Sequence, residues 1–161
     1  MVSAGALRRV PRVRLPQSTV LLRCMLLSLD HIAIAVPDLD EAIRRFTDDL
    51  GLTLSGTEDV VAARTRTAFL PVPGTRIELI HPLDGQGPVR DFLDKRGGGL
   101  HHICFRTDDL DGDMARLVAR GYRFTTDAPT PGAHGTRVAW VHPRCTGGVL
   151  IELAEHPPEG G

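Results

Sequence analysis

Asparagine is missing from the 161 residues, and lysine occurs once, at Lys95, against eighteen arginines. That skew reads as the codon bias of a GC-rich genome, not as a functional requirement. Cysteine is scarce as well: Cys24, Cys104 and Cys145 form an odd set without CxxC spacing. A disulfide-stapled scaffold is thereby excluded, and a reducing compartment is the simplest expectation. No apolar run approaches the roughly 20 residues of a membrane helix. The best one, residues 20–29, is short and broken by Arg23. Acidic residues are absent from residues 1–29, which hold five arginines. The other 132 residues therefore carry fourteen basic and twenty acidic groups, a net of −6. A body of that sign does not neutralise phosphates, so neither a nucleic-acid nor a membrane partner is expected.

What is present suits a globular chain, since 42% of the residues are hydrophobic and 24% charged. The length allows one domain with a sizeable core. Residues 1–28 are basic and contain Pro11 and Pro16. They read as a disordered arm, as an organellar targeting peptide, or as sequence upstream of a true start at Met25. A cytoplasmic location is expected, or a mitochondrial one if the segment is a targeting peptide. Residues 29–156 form the folded domain, and 157–161 a disordered tail.

The folded part repeats itself. D-H-I-A-I-A-V-P-D-L-D-E-A-I-R-R-F (30–46) matches H-H-I-C-F-R-T-D-D-L-D-G-D-M-A-R-L (101–117) at an offset of 71, and I-E-L recurs at 77–79 and 151–153. Each copy opens on an alternating strand and continues into a helix capped by Asp38 or Asp109. Leu39, Ala42, Ile43, Phe46 and Leu50 form the first buried stripe, with Gly51 as the stop; Leu110, Met114, Leu117 and Val118 form the second. Three extended runs follow in each copy, at 52–60, 64–70 and 75–80, then at 122–126, 136–142 and 149–154. Residues 88–96 read as a linking helix released by Gly97-Gly98-Gly99. The fold class is α+β: two tandem βαβββ modules, 29–86 and 100–156, building an open eight-stranded barrel-like sheet.

Strand alternation puts His31 and Glu78 on one face of the first module, and His102 and Glu152 on the matching face of the second. Pseudo-two-fold packing would make all four converge. Two imidazoles and two carboxylates suit a divalent ion such as Co, Ni, Mn, Fe or Zn, with positions left open for substrate. The small residues Ala33, Ala35 and Cys104 on that face leave room for a bound molecule. His101 has the opposite parity and reads as a packing residue. His81 and His142, each before Pro, read as turn residues, and His156 as an exposed tail residue. The run Gly132-Ala133-His134-Gly135 is either a flexible loop or a loop that closes on substrate.

These features resemble the vicinal oxygen chelate superfamily, which includes glyoxalase I, extradiol dioxygenases and methylmalonyl-CoA epimerases. Five segments are similar to the epimerases in particular: L-D-H-I-A-I-A-V-P-D-L (29–39), E-L-I-H-P-L (78–83), F-L-D-K-R-G-G-G-L-H-H-I-C (92–104), G-A-H-G (132–135) and H-P-R-C-T-G-G-V-L-I-E-L (142–153). The resemblance implies a metal-dependent exchange of the R and S forms of an acyl-CoA thioester, methylmalonyl-CoA. It also implies His31, Glu78, His102 and Glu152 as metal ligands, and a homodimer. Removing an α-proton needs a stabilised enolate, which a Lewis acid supplies, and inversion needs two proton carriers.

Glu152 is the expected first carrier. Some relatives place the second on the third strand of the first module, where this chain has R-T-R-T-A-F-L (64–70) and no acid. Glu78 and His134 stand in as candidates, and Arg106, on the His102 face, is expected to help hold the anionic substrate. A glyoxalase I-type lyase is the nearest rival, because it uses the same ligand set. A dioxygenase would use two histidines and one carboxylate, leaving Glu78 without a role. A non-catalytic binding protein of this fold would need no metal.

Overall fold

The computed structural model describes residues 26–158. The readings of residues 1–25, Cys24 among them, and of residues 159–161 lie outside the described residues. The first module supplies β1 (Ser28–Ala35), α1 (Leu39–Arg44), β2 (Gly56–Val60), β3 (Thr65–Val72) and β4 (Thr75–Pro82). After α2 (Pro88–Arg96), the second supplies β5 (Gly99–Thr107), α3 (Leu110–Ala119), β6 (Thr130–Pro131), β7 (Arg137–Val141) and β8 (Leu150–Glu155). All eight strands join one curled sheet in the order β2-β3-β4-β1-β5-β8-β7-β6. β1 and β5 pair antiparallel at its middle, with His31 opposite Cys104 and Ala33 opposite His102. β4 lies parallel to β1, and β8 parallel to β5. The four strands that carry the expected ligands are thus neighbours in one sheet.

Helix starts follow the predicted capping. The Asp38 carboxylate accepts from the Glu41 amide at 2.9 Å, and that of Asp109 from the Gly112 amide at 3.0 Å. These caps satisfy first-turn donors that have no partner within the helix. α1 then widens into a π-turn over Arg45–Asp49. The extra residue per turn rotates Leu50 out of the predicted stripe, leaving it 64% exposed. Val118 is likewise exposed, so the α3 stripe rests on Leu110 and Met114. Leu110 is fully buried against Met114, Ala139, Val141 and Leu153. Leu110→Ala is expected to lower stability by about 3 kcal/mol, read as a shift of the urea midpoint.

Two strand expectations change. Pairing of β2 begins only at Ser55 and Gly56, because Leu52, just past the helix stop, packs into the core under α1. Residues 122–126 make a single bridge, Phe124 to Val141, and the edge strand is β6 instead. Thr125 donates to the Trp140 carbonyl at one end of β7 while Thr130 and Pro131 pair with its other end. A five-residue strand divided between two partners gives neither a long ladder.

α2 matches its expected bounds and alters the reading of the small residues. Ala33 and Ala35 pack with Ile80 against Val89 and Leu93 of α2, so the space beside them is filled by protein. The glycine run makes that seating possible. Gly97 ends α2 in the left-handed region, and a Cβ on Gly98 would lie 3.1 Å from the Ala35 carbonyl oxygen. His81 sits within β4, not in a turn, and its Nδ1 hydrogen-bonds the Val36 carbonyl at 3.0 Å. His142 is the expected turn residue: its side chain accepts from the Arg144 amide.

Candidate active site and metal centre

The concave side of the sheet encloses a cavity of about 420 Å³ with His31, Glu78, His102 and Glu152 among its lining. All four are buried. Three of them converge on one point. His31 Nε2 lies 2.9 Å from Glu152 Oε2, His102 Nε2 lies 3.1 Å from the same oxygen, and the two Nε2 atoms are 3.1 Å apart. Glu78 stands one imidazole away. Its Oε1 is 3.3 Å from His31 Nδ1 and takes a 2.7 Å hydrogen bond from Arg76 Nε.

The donor set fits a divalent ion. An ion bound at about 2.1 Å with ligands at right angles needs donor atoms about 3.0 Å apart, close to what these three atoms show. Outer contacts aim the donors. The Asp30 carboxylate lies 2.8 Å from His31 Nδ1, and His101 Nδ1 lies 2.8 Å from His102 Nδ1, leaving each Nε2 turned to the shared point. Such contacts fix the tautomer and ring orientation of a ligating histidine.

Electrostatics describe a centre short of positive charge. Burial opposes ionisation of His31, yet Asp30, Glu152 and Glu78 outweigh it and raise the imidazole to about 9. Burial likewise works against the charge on Glu152, but His102 and His31 hold its carboxyl well below the usual range. Burial, with His102 beside it, lowers His101 to about 4, so it is a neutral partner. The Cys104 thiol is pushed up by burial and by Glu152, which keeps it protonated and unlike a ligand. An arriving cation would displace a proton from His31.

Four residues that matter here were not singled out from the sequence. Asp30 is buried and bonds His31, Arg76 and His156 at 2.8, 2.8 and 2.5 Å. The expectation that His156 is exposed is thus corrected: it is mostly buried and ion-paired. Arg76, not Arg106, is the guanidinium beside the expected ligands; Arg106 lines a separate pocket with Arg137 and His156. Arg76 shares strand parity with Glu78 on β4, a signal the sequence did contain. Glu58 pairs with His134, Nδ1 to Oε2 at 3.0 Å, a contact with no local signature. Trp140 packs edge-on against His102 with centroids 4.7 Å apart and forms part of the cavity lining.

Residues 30–140 match the family model of the Glyoxalase/Bleomycin resistance protein/Dioxygenase superfamily. The chain is 38% identical over 128 residues to the mitochondrial methylmalonyl-CoA epimerase of Dictyostelium discoideum, covering 79% of this chain and 77% of that protein. The crystal structure of methylmalonyl-CoA epimerase from Mycobacterium tuberculosis superposes with a TM-score of 0.80 at 39% identity, over 87% of this chain and 95% of the other. A methylmalonyl-CoA epimerase solved with methylmalonyl-CoA and NH4+ superposes with a TM-score of 0.79 at 32% identity, over 83% and 96%. The fold, the site and these likenesses agree: the chain belongs to the glyoxalase/bleomycin resistance protein/dioxygenase superfamily, in the group that contains the methylmalonyl-CoA epimerases.

Proposed function

We propose that this chain is a metal-dependent isomerase that interconverts (R)- and (S)-methylmalonyl-CoA. The observation that carries the reading is the convergence of His31, His102 and Glu152 in a buried cavity, in a chain so similar to epimerases. His31, His102 and Glu152 would hold the ion, with Glu78 joining once its bond to Arg76 is exchanged for the cation. A bound divalent ion supplies positive charge to the thioester oxygen as the α-proton leaves.

The protein's own groups do the rest. Glu152 offers a carboxylate oxygen, within 3.1 Å of both imidazoles, as the acceptor of the α-proton. Arg76 keeps positive charge beside the expected ligands, offsetting Asp30 and Glu78 in a body of net −6. Trp140, Val138 and Leu150 line the cavity and exclude water from the reacting carbon. The CoA moiety is too large for 420 Å³ and would extend to solvent. By the family resemblance we also propose a homodimer, checked by sedimentation-equilibrium mass in solution, and a cytoplasmic location. No helix of the described residues is long and apolar enough to cross a membrane.

The direct test incubates the ion-loaded protein with one epimer in deuterated water. α-Deuterium incorporation together with the opposite epimer is expected, and absence of both with metal bound overturns the proposal. One geometric fact favours a second reading. Three converging donors, two His and one Glu, also describe the facial triad of oxygen-using iron enzymes. Oxygen uptake by the iron-loaded protein would select that reading; unchanged oxygen with epimer conversion selects the isomerase.

A further inference from the structure

The strand order places β1, β5 and β8, with His31, His102 and Glu152, at the middle of the sheet, and β2 and β6 at its two ends. The sheet curls until those ends meet. β2 touches the turn Ala133–Gly135, and β6 touches the turn Val61–Ala63. That seam therefore lies across the cavity from the metal centre, and Val60, Ala63, Thr67, Gly132 and Ala133 line the cavity there.

One titratable pair spans the seam. The Glu58 carboxylate accepts from the His134 amide at 3.0 and 3.2 Å and lies 3.0 Å from His134 Nδ1. Glu58 stands directly opposite Thr67 in the β2–β3 ladder, so both side chains share the concave face. The imidazole lies over the Phe69 ring with centroids 4.3 Å apart, on the same face of β3 as Thr67. His134 is held at φ 53, a left-handed conformation that side chains rarely adopt and that tends to persist at functional sites. A charged carboxylate only accepts, so Nδ1 carries the hydrogen and Nε2 carries the lone pair. Among the described residues nothing bonds that Nε2, and the imidazole, 56% exposed, stands at the rim of the cavity beside the lining residues Gly132 and Ala133.

We propose that Glu58 and His134 form a second proton-transfer station at the rim of the cavity, with His134 Nε2 as the carrier and Glu58 as the residue that positions it. The proposal rests on the epimerase reading. Inversion at carbon requires a carrier on each face of the planar enolate. Glu152 and Glu78 both belong to the centre side, and Arg64, in the seam wall, is a donor-only guanidinium held by Asp84. In one direction Glu152 takes the α-proton: the C–H bond breaks and its electron pair passes into the enolate. His134, its exposed Nε2 having first taken a proton from solvent, then gives that proton to the opposite face; the N–H bond breaks, a new C–H bond forms, and the electron pair returns to Nε2. The reverse direction exchanges the two roles.

The test separates exchange from inversion. In deuterated water, H134Q is expected to lower inversion about 100-fold while one epimer still exchanges its α-proton, with retention, within about threefold of the wild-type rate. E58Q, which leaves the imidazole but removes its charged partner, is expected to shift the same ratio in the same direction. Exchange and inversion falling in step in both variants, or inversion left at the wild-type rate, overturns the assignment. A wild-type protein that neither exchanges nor inverts would instead overturn the epimerase reading itself, so the two failures are distinct.

Discussion

Glu152→Gln and His102→Ala each abolish both inversion and α-proton exchange, by at least about a thousandfold, the range expected when a proton-transfer group is lost together with its electrostatic support. Glu152 Oε2 lies within 3.1 Å of both imidazoles, so the neutral amide removes the charge around which the donors gather. His102→Ala removes one of three converging donors and leaves Glu152 with His31 alone. Both variants are expected to lose bound ion on dialysis, measured by elemental analysis. This pattern differs from that of the seam variants, which keep exchange. A Glu152→Gln protein that epimerises at the wild-type rate would mean the site is wrongly placed.

The second large effect falls on stability. Asp30→Asn leaves Arg76, His31 and His156 around a neutral amide in a buried pocket. Breaking such a network is expected to cost about 3 kcal/mol, a fall of about 10 °C in Tm for a domain of this size. The pH dependence has a definite sign. Burial raises the Asp30 carboxyl, but His31, Arg76 and His156 outweigh it and bring it from 3.8 to about 2. A lowered folded-state value means the contribution is present above the unfolded value and is lost as pH falls through about 2. Wild type and Asp30→Asn should thus differ fully at pH 7 and converge in strong acid, as followed by thermal melts across pH. Ion affinity should fall as well, because His31 loses the partner that orients Nε2, typically 10- to 100-fold. Equal melting curves at neutral pH would remove Asp30 from both roles.

Much of this was legible in the chain. The offset of 71 between two copies announced the duplicated module, and alternation along 31–36 and 75–80 sent His31 and Glu78 to one face. Aspartates at 38 and 109 marked helix starts that the structure bears out. The failures have physical causes. Leu50 left its stripe because a π-turn broke the 3.6-residue period on which the stripe was counted. Arg106 has the right parity for the cavity, but parity selects a face and not a position along the strand. Four residues beyond His102, it reaches a different pocket. The alanines read as open space were correct in size and wrong in consequence, because α2 lies over them.

The sequence by itself determined the repeat, the β-α-β-β-β order, and the histidine and glutamate types on a shared face, because these follow from local periodicity and from internal similarity. Only the tertiary structure decided that three of the four expected ligands meet within 3.1 Å while Glu78 bonds Arg76. It also decided that Asp30 ties together residues 46 and 126 positions away, and that Glu58 meets His134 across 76. Those pairings depend on how far the sheet curls and where its edges close. Curvature is a sum of twist and packing over all eight strands, and no local window of the chain contains it.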